Sequence, residues 1–200
     1  MKHHILLILM IILPLQAFAQ KDARAREVLE GMTAAYTKAE GTEIRFGGTM
    51  EGMLALKGEM FVLDCAGIKS WFDGKTLWSY VEDSGEVNVS TPSPEEVQAI
   101  NPYTMLGMYR NGFDYRYAGT KNRNGRSCKE VVLTPETEQD IKSITVGVNA
   151  SMEPAYIDIE NRNGEKQSIE IKKYTVRKLE DGFFRFNPKD YPGVEVIDLR

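Results

Sequence analysis

The chain has 200 residues and a formal net charge of −4. This length suits one domain, and the mildly acidic charge without a basic patch argues against attraction to nucleic acid. Its two histidines, His3 and His4, precede a predicted cleavage site. The mature chain therefore lacks the residue needed for Ser-His-Asp or Cys-His catalysis and for imidazole metal sites, and we expect neither a cofactor nor a metal.

Residues 1–19 have the features of a secretory signal peptide. Lys2 supplies a positive start, an apolar run extends from Ile5 to Leu13, and Ala17-Phe18-Ala19 has the small-residue pattern of a cleavage site. The run is too short to span a bilayer, which takes ~20 residues. We predict cleavage between Ala19 and Gln20 and a mature, exported domain of residues 20–200.

A helix is predicted from about Asp22 to Lys38. Apolar residues recur at helical spacing on one side and charged residues occupy the other, which predicts one buried face. Gly41 provides a natural stop just past the end. The apolar stripe consists of Ala25, Val28, Leu29, Met32, Ala35, Tyr36 and Ala39.

Strands separated by turn residues are predicted to follow. Asp73-Gly74 should form a two-residue hairpin turn, because these residues accept positive φ angles. Trp71 and Trp78 flank this turn, and we expect near cross-strand neighbours that stabilise the hairpin, with cavity lining as the alternative. The predicted strands are Thr42–Met50, Leu54–Cys65, Ile68–Phe72, Thr76–Val81 and Glu86–Ser90.

Residues 91–112 interrupt the strands with a predicted helical insert. Ser93-Pro94-Glu95-Glu96 has the form of a capping box at the start of a short helix. A second helix, from Asn101 to about Arg110, is apolar on most sides. Such a helix is either wedged into a core or covers a space that is sometimes filled. Its apolar residues are Tyr103, Met105, Leu106, Met108 and Tyr109.

Strands resume at Phe113, with hairpin signals at Asn124-Gly125 and Asn163-Gly164. Apolar and polar residues alternate, as from Ile157 to Glu160, which predicts a sheet with one wet face. About eleven strands would not pack flat. We therefore predict a mainly β (α+β) fold, a curved, incomplete antiparallel β-barrel with an α-helical lid.

Cys65 and Cys128 are the only cysteines. An oxidising compartment would permit a disulfide between them, but bridging needs Cα atoms within ~7 Å and the spacing does not reveal this distance. Two buried thiols on separate strands are the preferred interpretation, and a disulfide stays open.

Methionines are enriched in the opening strands and in the insert. Methionine is flexible and polarisable, and it suits surfaces that repack around variable apolar shapes. Ordinary core filling explains a single methionine, whereas the shared enrichment favours a binding surface. The predicted cavity and lid residues are Met32, Tyr36, Phe46, Met50, Leu54, Leu56, Met60, Trp78, Tyr103, Met105, Leu106, Met108 and Tyr109.

Several segments resemble those of the LolA-like carriers of outer-membrane lipoproteins. They are Gly58-Glu59-Met60-Phe61, Trp71-Phe72-Asp73-Gly74-Lys75-Thr76-Leu77-Trp78-Ser79-Tyr80, Glu86-Val87-Asn88-Val89, Asn101-Pro102 with the following Leu106, and the ending from Phe184-Arg185-Phe186-Asn187-Pro188 to Val194-Glu195-Val196-Ile197-Asp198. The resemblance covers most of the mature chain. It implies a half-open barrel whose lid covers a hydrophobic cavity for the acyl chains of a lipoprotein.

The resemblance also implies a periplasmic, monomeric and non-enzymatic protein that shuttles lipoproteins from the inner to the outer membrane. Its partners would be acylated lipoproteins, an inner-membrane lipoprotein-releasing transporter and an outer-membrane acceptor. Family members carry an arginine that ties down the lid, and Lys57 lies nearest to that position here. Lysine can bond carbonyl groups but lacks the planar fork of arginine, so Lys57 is the candidate lid latch.

Two alternatives stay open at this point. A periplasmic domain of the same architecture could sense lipids or lipoproteins instead of moving them, and the sequence does not separate these functions. A carboxylate-dependent lipid hydrolase belongs to another class. The lack of histidine in the mature chain and of a GxSxG elbow argues against it.

Overall fold

The computed structural model describes residues 21–93, 96–97 and 107–200. The predicted signal peptide and its predicted cleavage site lie outside these ranges. Helix α1 spans Ala23–Thr37, and short 3-10 helices span Met108–Arg110, Asp181–Phe184 and Pro188–Asp190. The strands are β1 (Thr42–Gly48), β2 (Gly52–Lys57), β3 (Met60–Cys65), β4 (Ile68–Phe72), β5 (Leu77–Val81), β6 (Glu86–Ser90), β7 (Phe113–Arg123), β8 (Arg126–Pro135), β9 (Ile141–Val148), β10 (Pro154–Asn161), β11 (Lys166–Val176) and β12 (Glu195–Asp198). None of the helices in the described ranges has the length and apolar character needed to cross a bilayer.

The twelve strands found in the described ranges form one sheet, in the order β12-β6-β5-β4-β3-β2-β1-β11-β10-β9-β8-β7. β7 and β12 are its edges, so the sheet is not closed. Neighbouring strands are antiparallel, except that β12 pairs in parallel with β6. The predicted mainly β, incomplete barrel with a helical lid is confirmed, with one strand more than expected and a parallel edge.

The segment Leu54–Cys65 forms two strands and not the single strand predicted. Gly58 has a φ of +56°, and the chain reverses there, so that Lys57 pairs with Met60. Glycine adopts this left-handed conformation without the steric cost that a Cβ atom would impose. The extra turn explains why the sheet has more strands than expected.

The loop between β4 and β5 is longer than predicted. Phe72 pairs with Leu77, so residues 73–76 form the connection. The prediction of a two-residue turn at Asp73-Gly74 is therefore wrong. The Asp73 carboxylate accepts hydrogen bonds from the amides of Lys75 at 3.1 Å and Thr76 at 2.9 Å. This local side-chain bonding competes with a tighter turn.

One face of the sheet, here called the inner face, packs against α1. Ile157 of β10 pairs with Ile169 of β11, so the apolar side chains under α1 continue on the same face toward β1. This continuity makes one apolar surface that extends well beyond the helix. Its buried strand residues are Phe113, Tyr115, Val131, Leu133, Ile144, Val146 and Val148 below α1, and Ile44, Leu54, Leu56, Phe61, Phe72 and Ile171 farther along.

The opposite, outer face of β2–β6 is covered by residues 179–194, here called the C-terminal strap. Leu179 and Phe184 of the strap are 1% and 0% exposed. Trp71 receives the ring of Tyr191 edge-on, with the centroids 5.6 Å apart. Trp71 and Trp78 are directly opposite each other, which confirms that they are cross-strand neighbours.

Both cysteines are free thiols. Cys65 ends β3 and is half-buried, whereas Cys128 of β8 is 1% exposed. Five strands separate β3 from β8 in the sheet order, so the disulfide left open by the sequence does not form. Burial raises the pKa of both thiols.

Candidate functional site

Helix α1 covers the part of the inner face formed by β7–β9. The predicted stripe supplies the contact, because Val28, Leu29 and Met32 are at most 3% exposed and pack in the cluster below the helix. The helix begins after Asp22 and ends at Thr37, close to the predicted limits. An amphipathic helix thus seals one half of an open, apolar sheet.

Polar contacts fasten the start of α1 to β7. The Asp22 carboxylate caps the helix by accepting from the amide of Arg24 at 2.8 Å, and its second oxygen accepts from the amide of Tyr117 at 2.9 Å. Arg26 Nε donates to the Tyr115 hydroxyl at 3.1 Å. The hydrogen bond from Tyr117 is the main reason why the pKa of the Asp22 carboxyl is lowered.

The other end of α1 is fastened to the turn between β2 and β3. The Tyr36 hydroxyl donates to the carbonyl of Gly58 at 2.8 Å. Just past the helix, the carbonyl of Glu40 accepts from the amide of Leu179 at 3.3 Å. The helix is therefore held at both ends, on strands that lie far apart in the sheet.

The side chain of Lys57 bonds the C-terminal strap. Its Nζ atom donates to the carbonyl of Leu179 and to the carboxylate of Asp181, both at 2.7 Å. Lys57 follows the inward-facing Leu56 in β2, so its side chain points to the outer face. The residue predicted as a lid latch thus lies on the face opposite α1.

Beyond α1, the inner face carries apolar residues that are only partly buried. These are Phe46, Leu63, Leu77, Ile169 and Tyr174. Val97 packs against the same cluster, so the start of the insert lies over this half of the inner face.

The predicted capping box is present at the start of the insert. The Ser93 amide donates to the Glu96 carboxylate at 2.7 Å, and the Glu96 amide donates to the Ser93 Oγ at 3.2 Å.

The described end of the insert also reaches the inner face. Tyr109 is 2% exposed in the cluster below α1, and its ring meets that of Tyr115 edge-on with the centroids 5.8 Å apart. β6 and β7, which precede and follow the insert, lie toward opposite sides of the sheet.

The sequence matches a known protein family over most of its length. The family model described as "Outer membrane lipoprotein carrier protein LolA" matches residues 15–163. The chain belongs to this family. The curated proteins offer no match.

Solved structures place this LolA family member among similar folds. An uncharacterized conserved protein from Thermus thermophilus has a TM-score of 0.64 and 12% identity, over 88% of this chain and 99% of that one. Lipoprotein LppX from Mycobacterium tuberculosis has a TM-score of 0.48 and 13% identity, over 79% and 100% of the two chains. A LolA superfamily protein from Nitrosomonas europaea has a TM-score of 0.37 and 11% identity, over 81% and 97%. Of these three, the Thermus structure is similar enough to support the fold.

The structure of this family member brings together part of the predicted site. Met60 and Trp78 lie instead on the outer face, since each is one residue away from an inward-facing neighbour in its strand. Met50 is 38% exposed in the connection between β1 and β2. Tyr103, Met105, Leu106 and the side chain of Met108 lie outside the described part of the chain. The residues placed together on the inner face are Met32, Tyr36, Phe46, Leu54, Leu56 and Tyr109.

Leu63, Leu77 and Ile169 share the inner face with these residues but are absent from the predicted site. The sequence shows that residues alternate between two faces along β3, β5 and β11. It does not show which of the two faces lies under α1. The pairing of Ile169 with Ile157 and of Leu63 with Leu54 would have identified it.

A small cavity of about 140 Å³ lies away from the inner face. It sits between the tip of the β7–β8 hairpin and β10–β11, where Arg123 donates to Asp158 at 2.5 Å and to Ser168 at 2.7 Å. Its charged lining fastens the hairpin to the outer face and does not resemble an apolar binding surface. The lining residues are Arg123, Asn124, Arg126, Ala155, Tyr156, Glu170, Ile171 and Lys172.

Proposed function

We propose that this protein is exported to the periplasm, where residues 20–200 form one domain that carries lipoproteins from the inner to the outer membrane. The observation that supports this best is the apolar inner face of an unclosed sheet. Helix α1 covers one part of that face, and half-buried side chains such as Leu63 and Leu77 border the rest. Acyl chains would bind there, because each buried CH₂ group contributes ~0.8 kcal/mol.

Release of the cargo requires that the protein's own packing compete with the lipid. In the closed state, apolar residues of α1 and of the insert cover the inner face. In the loaded state, acyl chains replace part of that packing, with Met105, Leu106 and Met108 moving as lid residues. Transfer works when the two states are close in free energy, so that a partner can shift the balance.

The proposed partners follow from the family. Acylated lipoproteins are the cargo, an inner-membrane lipoprotein-releasing transporter is the donor, and an outer-membrane protein is the acceptor. The carrier acts as a monomer. It needs neither a cofactor nor catalysis, because binding and release involve no covalent step.

Titration with a fluorescent diacylglyceryl lipopeptide tests the binding site. Wild-type residues 20–200 should bind the probe, and Leu63→Glu should weaken binding at least tenfold, because the charge would be buried beside acyl chains without a partner. Val196→Glu is the matched control, since Val196 lies on edge strand β12 and is 48% exposed. Circular dichroism should confirm that each variant is folded.

Depletion in cells separates a carrier from a sensor. Loss of the protein should leave lipoproteins in the inner membrane, as measured by membrane fractionation. Correct sorting after depletion, or no binding by the wild-type protein, would refute the proposed function.

A further inference from the structure

A polar row crosses the inner face on β4, β5 and β6. Ser70 is directly opposite Ser79, and Ser79 is directly opposite Asn88. All three residues are half-buried. Directly opposite residues share a face of the sheet, so the three side chains form a continuous line.

The alternation of each strand places this line on the inner face. Ser70 is two residues from Phe72, and Leu77 is two residues from Ser79; Phe72 and Leu77 both belong to an inner-face cluster. The neighbours of Asn88, Val87 and Val89, pack on the outer face, so Asn88 points inward.

Apolar rows border the polar row on both sides. In each of these rows, consecutive residues are paired across β3, β4 and β5. On β4 and β5 the polar row is therefore one residue wide within an apolar surface, whereas on β6 Asn88 lies between Glu86 and Ser90, which continue the bordering rows. The bordering rows are Phe61, Phe72 and Leu77 on one side and Cys65, Ile68 and Val81 on the other.

The polar row contains hydrogen-bond donors that are not used within the row. The Ser70 and Ser79 hydroxyl oxygens are 3.1 Å apart, so one hydroxyl donates to the other and the second keeps its hydrogen for another acceptor. Within the described residues, the side-chain amide of Asn88 has no hydrogen-bond partner. A half-buried donor next to apolar rows gains stability when an acceptor reaches it.

The surroundings of the row favour an uncharged acceptor. Glu86 of β6 is two residues from Asn88 on the same face, so its carboxylate disfavours an anionic acceptor beside the row. Lys69 of β4 points to the outer face, where its Nζ lies 5.3 Å from the centre of the Trp71 ring. A carboxylate or phosphate would therefore find no cation among these groups, whereas a carbonyl oxygen needs only a neutral donor.

We propose that Ser70, Ser79 and Asn88 bind the ester carbonyls of a diacylglyceryl group while its acyl chains lie on the apolar rows beside them. This inference rests on the proposed function, because it names the part of the same cargo that the site recognises. The row then distinguishes an acylated glycerol from a plain hydrocarbon of equal length.

A pair of matched probes tests the inference. One is a fluorescent diacylglyceryl-cysteine lipopeptide, and the other is its dialkyl ether counterpart, which has the same chains and peptide but no carbonyl groups. The wild-type protein should bind the ester about tenfold more tightly, the effect of one or two added hydrogen bonds. The double variant Ser70→Ala/Ser79→Ala and the variant Asn88→Leu should bring this ratio close to one through weaker binding of the ester.

Two further variants provide controls. Asn122→Leu, at an exposed position in β7, should keep the wild-type ratio. Asn88→Ser, which retains a donor, should keep more of the preference than Asn88→Leu. Equal wild-type affinity for ester and ether, or a preference that survives loss of all three polar side chains, would overturn the inference and leave the proposed function intact. Failure of both probes to bind would overturn the proposed function, and the inference with it.

Discussion

Asp22 performs two tasks with one carboxylate. It caps α1, and it accepts a hydrogen bond from the amide of Tyr117 in β7, so the start of the helix is fixed to the sheet edge by a charged acceptor. Hydrogen bonds to the charged form stabilise that form, which is why the pKa of Asp22 lies below its usual value of 3.8.

This pKa predicts that docking of α1 depends on pH. A lowered folded-state pKa contributes stability above the unfolded pKa, and this contribution is lost as the pH falls through the folded pKa. Wild type should therefore lose stability relative to Asp22→Asn as the pH falls from about 5 to about 2. Urea unfolding at each pH measures the difference between the two proteins. A difference that does not change with pH would contradict this role.

At the scale of elements, α1 crosses the open sheet. Its first end is bonded to β7, and its other end is bonded to the turn between β2 and β3. The bond from Tyr36 to the Gly58 carbonyl holds the second end. On the other side of the same turn, Lys57 bonds the C-terminal strap. The turn therefore joins the helix on the inner face to the strap on the outer face.

Removing the Tyr36 hydroxyl should loosen the second end of α1. Tyr36→Phe should lower the free energy of unfolding by about 1 kcal/mol and speed the release of bound lipopeptide. Stopped-flow fluorescence measures the release rate. Tyr80→Phe is the control, since Tyr80 packs under the strap on the outer face. Equal release rates for the two variants would show that this bond does not restrain the helix.

Local patterns predicted much of this arrangement. The helix stripe from Ala25 to Tyr36, the capping box at Ser93 and the turn at Asn124-Gly125 depend on residues close in sequence, and the structure contains all three. The prediction that Met60 and Trp78 line the cavity was wrong, because a shift of one residue moves a side chain to the other face of a sheet. The strap was not predicted as a cover because its contacts join distant parts of the chain.

At the scale of the whole molecule, the unclosed sheet leaves its two thiols in different environments. Cys65 lies at the end of an apolar row on the inner face and is half-buried, whereas Cys128 is 1% exposed. Their chemical accessibility therefore reports on the inner face and on global unfolding separately.

Alkylation of the native protein should modify Cys65 slowly and leave Cys128 unmodified. Both thiols should react after unfolding without a reducing agent, because neither is in a disulfide. Bound lipopeptide should slow the reaction of Cys65, since the ligand would cover its row. Intact mass spectrometry counts the adducts. A native protein that reacts only after reduction would contradict the free thiols.

The parallel pairing of β12 with β6 has a consequence for the order of folding. During synthesis the chain emerges amino-terminus first, so β1–β5 can form their hairpins early, while Val87 and Val89 have no cover until residues 179–198 arrive. Contacts between distant segments form slowly, and apolar surface exposed meanwhile promotes aggregation. The half of the sheet made first is thus completed last, and a chain that stops before Leu179 would leave the outer face of β2–β6 exposed to water.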